Sequence, residues 1–235
     1  MRFFCESIDT ESILDPVESN HLCRVLRAQK GTALELFDGK GSLAKGVAER
    51  IDKKAACVRV QEITRTAAPA SGRIILAVSF AKGQRFDWMV EKCTELGVDH
   101  IAAVQFERTV KLGKETALER YRKISITASK QCERLFLPAI TGPAKFPDTL
   151  DLLKEQYPHS HILYGDPDGD AFFDQAGMKD NRDCVIVIGP EGGLTDDEKT
   201  LLLKNGGGGV SINRNILRIE TAAVAFCATV RAARR

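Results

Sequence analysis

A run of four β-branched residues, Val185-Ile186-Val187-Ile188, leads straight into Gly189-Pro190-Glu191-Gly192-Gly193-Leu194 and then Thr195-Asp196-Asp197-Glu198. A short apolar run stopped by glycine and proline predicts a strand buried on both faces, the setting of a parallel sheet. Thr195 with Glu198 three positions on predicts a capping box, in which the hydroxyl takes a first-turn N–H and the carboxylate reaches back to the cap. The stretch reads strand, glycine bend, helix. Such a bend leaves free N–H groups and bare backbone at the C-terminal edge of the sheet, where open α/β folds bind ligands. The glycines follow neither Gly-x-Gly-x-x-Gly nor Gly-x-x-x-x-Gly-Lys-Ser/Thr, so nothing here selects phosphate, and a nucleotide-dependent oxidoreductase is disfavoured. A second bend follows within thirty residues: Val210-Ser211-Ile212-Asn213-Arg214-Asn215-Ile216-Leu217-Arg218-Ile219-Glu220-Thr221-Ala222, again strand, polar turn, helix. Two such bends at neighbouring strand ends can close on one flat ligand.

The rest of the chain divides in two. Residues 1–70 predict a small β-rich unit: a short amphipathic helix over 20–27, strands at 33–37, 42–49 and 55–63, and a hairpin turn at Asp38-Gly39. Pro69, Ser71 and Gly72 mark a linker over 64–72. From 73 the pattern alternates. Strands are expected at 73–79, 101–106, 161–164 and 184–188, with a further one opening at 139–140. Helices are expected at 87–96, 118–132 and 149–156, a helix ending in Gly206 to Gly209, and a closing helix from 221. Residues 165–170 read as a loop. Alternation of this kind predicts a mostly parallel sheet with helices on both faces over 71–235.

Seven cysteines stand singly, with no Cys-x-x-Cys or Cys/His cluster, which argues against a zinc site and suggests free thiols in a reducing cytoplasm. No apolar run reaches the roughly 18 residues of a membrane helix, and Glu6 comes too early for a signal peptide. The net charge is only +2, yet residues 108–134 carry eight Lys/Arg against three Glu. That excess reads either as a solvated helix face or as a track for phosphates. Arg24 and Arg27, three apart, allow the same two readings. The four histidines (21, 100, 159 and 161) have no partner pattern and read as surface or strand-end residues.

Several motifs together resemble the RsmE family: His21-Leu22-x-x-Val25-Leu26-Arg27, Lys82-x-x-Arg85, Glu91-Lys92-Cys93-Thr94-Glu95-Leu96-Gly97-Val98, Glu107-Arg108, Gln131-x-x-Arg134, the Gly189–Leu194 bend, and Ile216-Leu217-Arg218-x-Glu220-Thr221-Ala222. The resemblance covers nearly the whole chain. It implies a SPOUT-superfamily methyltransferase that uses S-adenosylmethionine to methylate N3 of one uridine in small-subunit (16S) ribosomal RNA. It further implies a PUA-like β-barrel ahead of an α/β domain with a deep trefoil knot, and a homodimer. The cofactor would sit among the loops at 163–166, 188–194 and 212–217. Candidate cofactor contacts are then Leu163, Gly165, Ile188, Gly189, Glu191, Gly193, Ile212, Asn213, Ile216 and Leu217. Asn213 replaces a glycine usual in the family, and asparagine is the best non-glycine residue for a positive φ. A valine at Gly193 is expected to block the slot.

Uridine N3 is a poor nucleophile until its proton leaves, so the site needs a base or a cation that stabilises the anion. Arg218 is the candidate for the cation. Glu220 is a candidate base, or else pairs with Arg218 or caps the last helix at Thr221. Arg24, Arg27, Lys82, Arg85, Arg108 and Arg134 are candidates for holding RNA. The alternative readings are an RNA-binding module without catalysis and a related enzyme acting on another RNA.

Overall fold

The structure, a computed structural model, describes residues 1–80, 83–110, 117–171 and 180–234. It separates into two compact units. The first comprises Met1–Ala68 with Ile126–Leu137, and the second Pro69–Ser125 with Pro138–Arg235.

In the first unit, β1 (Arg2–Phe4) and β2 (Glu11–Ile13) precede a short helix α1 (Pro16–Asn20), which Asp15 caps by accepting the Glu18 N–H at 2.8 Å. Both strands are three residues long, too short to show an alternating pattern. One wide turn over His21–Val25 follows, with the Leu26 N–H donating back to the His21 carbonyl at 3.1 Å. The helix expected over 20–27 therefore changes winding inside its own apolar face. Only Leu22 stays fully buried, while Val25 is 66% exposed. Next come β3 (Ala33–Phe37), β4 (Ser42–Arg50) and β5 (Cys57–Arg65). The Asp38 carboxylate builds the β3–β4 turn by accepting the N–H groups of Lys40 and Ser42. The sheet order is β1-β3-β4-β5-β2, and its register slips at Lys45/Gly46 and Ala48/Arg50. Such bulges bend a strand and curl a small sheet. Phe3, Leu14, Leu22, Leu34, Leu36 and Val58 fill its core.

The Ile126–Leu137 segment joins this unit through specific contacts. The Lys130 ammonium pairs with Glu18 at 2.6 Å, and the Leu137 N–H donates to the Gly39 carbonyl at 2.9 Å. No local pattern announces that a segment from the middle of the chain returns to the first unit.

The second unit holds β6 (Ile74–Ser79), α2 (Gln84–Glu95), β7 (His100–Gln105), α3 (Ala117–Cys132, whose later part belongs to the first unit), β8 (Ala139–Lys145), α4 (Phe146–Gln156), β9 (His161–Ala171), β10 (Cys184–Ile188), α5 (Asp196–Lys204), β11 (Gly208–Ser211) and α6 (Ile219–Ala233). All neighbours in its sheet, ordered β11-β9-β10-β6-β7-β8, are parallel. β6 and β10 are buried along their whole length, as continuous apolar runs require. Their side chains alternate between two cores. Ile74, Leu76, Val78, Cys184, Ile186 and Ile188 pack beneath α2 and α6, whereas Ile75, Ala77, Val185 and Val187 pack beneath α4 and α5.

Three expectations change here. The loop expected at 165–170 is strand, because β9 continues and pairs with β11 at Val210↔Asp170 and Ser211↔Ala171. Glycine makes that pairing possible, since a Cβ at Gly169 would stand 2.6 Å from the Gly209 carbonyl carbon. The four glycines expected to end α5 divide their work, Gly206 taking φ +78 after the helix while Gly208 and Gly209 enter β11. Finally, His100 is a strand-end residue but not a surface one, at 1% exposure. Its ring nitrogens lie 3.1 Å from the Tyr157 hydroxyl and 2.7 Å from the Thr141 hydroxyl.

Burial holds the His100 imidazole neutral, its pKa lowered from 6.5 to about 4. The unfolded chain takes up this proton first, so the contribution is complete above pH 6.5 and is lost as pH falls towards 4. Urea unfolding is expected to show a loss of about 2–3 kcal/mol between pH 7 and 4.5 from this group. His100→Gln should remove most of that slope, and an unchanged slope in the variant would clear His100 of the effect.

Candidate functional site

At the C-terminal edge of the sheet the chain bends away from β10 at Gly189. The Gly193 N–H closes a turn on the Pro190 carbonyl at 2.9 Å, with Gly193 at φ +73. Thr195 then caps α5, and the capping box is complete: its hydroxyl accepts from the Glu198 N–H, and the Glu198 carboxylate accepts from the Thr195 N–H at 2.8 Å. The other Glu198 oxygen accepts the Glu107 N–H at 2.9 Å, which ties the bend to the residues after β7. Arg108 adds a second tie, donating from Nη1 to the Gly192 carbonyl at 2.9 Å.

This bend, the β9 segment at Gly165 to Pro167, and the turn between β11 and α6 enclose a cavity of about 320 Å³. Gly165, Ile188, Gly189, Glu191, Gly193, Ile212, Asn213, Ile216, Leu217 and Arg218 all line it. Ile216 is at the rim, 87% exposed. Leu163 does not reach the cavity. It lies one pleat below Gly165 on β9 and belongs to the core, at 3% exposure. Glu220 is also outside the lining, and its carboxylate instead lies 3.7 Å from Nε of Arg85. The cap of α6 is Arg218, not Thr221.

Two expectations about backbone are corrected. Asn213 does not take a positive φ, because its side chain does the turning: Oδ1 accepts the Asn215 N–H at 3.3 Å. At Gly193 a Cβ would meet nothing within 4 Å, so a valine there is opposed by φ +73 rather than by overlap. The tight position is Gly189, where a Cβ would stand 2.9 Å from Leu194 Cδ2.

The lining also includes residues that motif reading passes over. Asp166 is held by Lys199 on α5, Nζ to Oδ2 at 2.8 Å, with its side chain 12% exposed. Ile219, Ala222 and Phe226 present one face of α6 to the cavity. Their spacing of three and four is a signal that was available in the sequence. The charged groups on the lining are thus Asp166, Glu191 and Arg218.

The candidate RNA contacts are dispersed. Arg24 and Arg27 are exposed on the first unit, and Arg134 is half-buried in the segment that joins it. Arg85 and Arg108 are in the second unit, and Lys82 lies outside the described residues. The basic stretch over 108–134 is partly neutralised, since Lys130 pairs with Glu18 and Arg120 with Asp87. Among the described residues no cluster of His, Cys, Asp or Glu is placed to hold a metal, and no helix is long and apolar enough to cross a membrane.

Comparison with known proteins agrees with this architecture. The family model for the RNA methyltransferase domain matches residues 68–231, and the one for the RNA methyltransferase PUA domain matches residues 14–61. The chain is therefore an RNA methyltransferase domain preceded in sequence by a PUA domain. Ribosomal RNA small subunit methyltransferase E from Synechocystis is 31% identical over 242 residues, covering 96% of this chain and 74% of that protein. A crystal structure of ribosomal RNA small subunit methyltransferase E from Neisseria gonorrhoeae, bound to S-adenosyl methionine, is 26% identical. It covers 99% of this chain and 97% of that one with a TM-score of 0.87. A Legionella pneumophila protein solved with bound SAM is 29% identical, with a TM-score of 0.84 over 99% of this chain and 97% of that one. The chain belongs to the RsmE family of ribosomal RNA small subunit methyltransferases.

Glu198 fastens both sides of the bend, so Glu198→Ala is expected to cost about 2–4 kcal/mol by freeing two N–H groups and the helix cap. Glu198→Gln, which keeps an acceptor, should cost less. Chemical denaturation checks both, and a loss below about 0.5 kcal/mol for the alanine variant would show that the bend holds without it.

Proposed function

We propose that this protein transfers the methyl group of S-adenosylmethionine to N3 of a uridine in small-subunit (16S) ribosomal RNA. The observation that carries this reading is the cavity itself. Its roughly 320 Å³ falls at the small end of ligand pockets, about 300–1,000 Å³. Its chemistry suits the cofactor. Ile188, Ile212, Leu217 and Phe226 offer apolar surface to an adenine, and the open space beside Gly193 lets a ligand approach the backbone. Asp166 and Glu191 offer negative charge to a ligand that carries a sulfonium and an ammonium.

When bound, the cofactor supplies an electrophilic methyl carbon. The protein's task is to align the uridine with that carbon, and alignment alone is worth several orders of magnitude in rate. Arg218, exposed on the cavity lining at the start of α6, is placed to stabilise the negative charge that spreads over the uracil oxygens as the N3 proton leaves. Arg24, Arg27, Lys82, Arg85, Arg108 and Arg134 are the proposed RNA contacts, the first two on the PUA-like unit and Arg134 in the segment that joins it. The division into an RNA-holding unit over 1–70 and a methyltransferase unit over 71–235, the knot in the latter, a homodimer and a cytoplasmic location complete the proposal.

Calorimetry is expected to give micromolar binding of S-adenosylmethionine. Gly189→Ala should weaken it at least about tenfold by pushing Leu194 into the cavity. Arg218→Ala should fold and bind the cofactor while methyl transfer falls roughly 100-fold or more. Mass mapping of ribosomal RNA from cells lacking the protein should show one missing N3-methyluridine, restored by the intact gene but not by the Arg218→Ala form. An RNA whose methylation pattern is unaltered would refute the assignment.

A further inference from the structure

The sequence suggests separate tasks for Glu220 and Arg85, a base or a structural partner for the first and an RNA contact for the second. The structure joins them. Arg85 is the second residue of α2, and its Nε lies 3.7 Å from Oε1 of Glu220 in the first turn of α6. The Arg85 side chain is 67% exposed and that of Glu220 18%. Arg218 and Ile219, immediately before Glu220, line the cavity, whereas Glu220 does not. Its carboxylate is turned to α2.

Glu220 approaches the guanidinium as an ion pair, nearest at its inner nitrogen and too long for a hydrogen bond, and neither terminal nitrogen has a hydrogen-bond partner among the described residues. An arginine drawn to a carboxylate on its Nε side keeps free the planar N–H fork that grips a phosphate. A long, exposed side chain also loses rotamer freedom on binding, and a carboxylate that fixes it beforehand lowers that loss. We propose that Glu220 is a positioning residue that holds Arg85 with its terminal N–H groups outward, ready for an RNA phosphate beside the α6 end of the cavity. The assignment rests on the reading above that the substrate is RNA.

The proposal fixes the sign of an effect. As a bystander, the Glu220 carboxylate repels RNA, and its removal tightens binding. As a positioning residue, it strengthens binding through Arg85, and its removal weakens it. As a base, it acts on the chemical step and leaves RNA affinity alone.

The test uses the full-length protein and small ribosomal subunits from cells lacking it. Binding is measured across a salt series, methyl transfer across pH, and S-adenosylmethionine affinity by calorimetry. Arg85→Ala and Glu220→Gln are each expected to raise KM for the subunit roughly three- to tenfold. The double variant should be no worse than Arg85→Ala alone, because one residue acts through the other. Arg85→Ala should reduce the slope of log affinity against log salt by about one. Glu220→Gln should keep the shape of the kcat–pH profile. Binding by Glu220→Gln that is unchanged or tighter overturns the proposal, as does a flattened kcat–pH profile at unaltered KM, which would make Glu220 a base. Failure of the unaltered protein to bind S-adenosylmethionine would sink the methyltransferase reading instead, and the RNA affinities would still decide the role of Glu220.

Discussion

The site depends on how β10 ends. A strand buried on both faces must satisfy every backbone group along its length, and β10 does so between β6 and β9. At Gly189 that ladder stops and the chain has to turn within a few residues without leaving the sheet edge bare. It manages this with two anchors, the Pro190–Gly193 turn and the carboxylate of Glu198, which accepts N–H groups from both Thr195 and Glu107. Once the bend is fixed, Ile188 and Leu194 become walls of the cavity, and the rim is set by the loops on either side.

Charge is arranged economically around this cavity. Asp166 is braced by Lys199, and Arg108 is braced by the Gly192 carbonyl. Arg218 has no such brace among the described residues and stands at the α6 N-terminus, where the helix adds a positive partial charge. A guanidinium with no neighbouring anion keeps its full field for whatever enters the cavity. This is the arrangement expected of a group that stabilises negative charge rather than one that holds the fold together.

How much of this was legible in the chain depends on the range of the interactions. The capping box at Thr195 and Glu198 is purely local, and the residues state it. The alternation of strands and helices from residue 73 is likewise local, and the parallel sheet follows from it. Pairings between distant segments were not legible. β9 looks finished at Tyr164 because the partner that extends it, β11, begins at Gly208, 47 residues after β9 does, and opens on two glycines. The turn at His21–Val25 kept the residue types of an amphipathic helix but changed its winding. Lys130 looked like part of a phosphate track until Glu18, 112 residues away, appeared as its partner. Within the site, the residues carried by motifs mostly line the cavity, while Leu163 and Glu220 fall outside it because motifs do not say which way a side chain turns.

The place of β10 in the sheet has a consequence for how the chain matures. During synthesis β6, β7, β8 and β9 all emerge before the strand that lies between β6 and β9. Until residues 184–188 are made, the sheet has a vacancy at its centre and two apolar strand edges face it. The contacts that close it are distant in sequence, and such contacts form slowly. Nascent chains paused just short of residue 184 would therefore be the most exposed to chaperones and to mispairing.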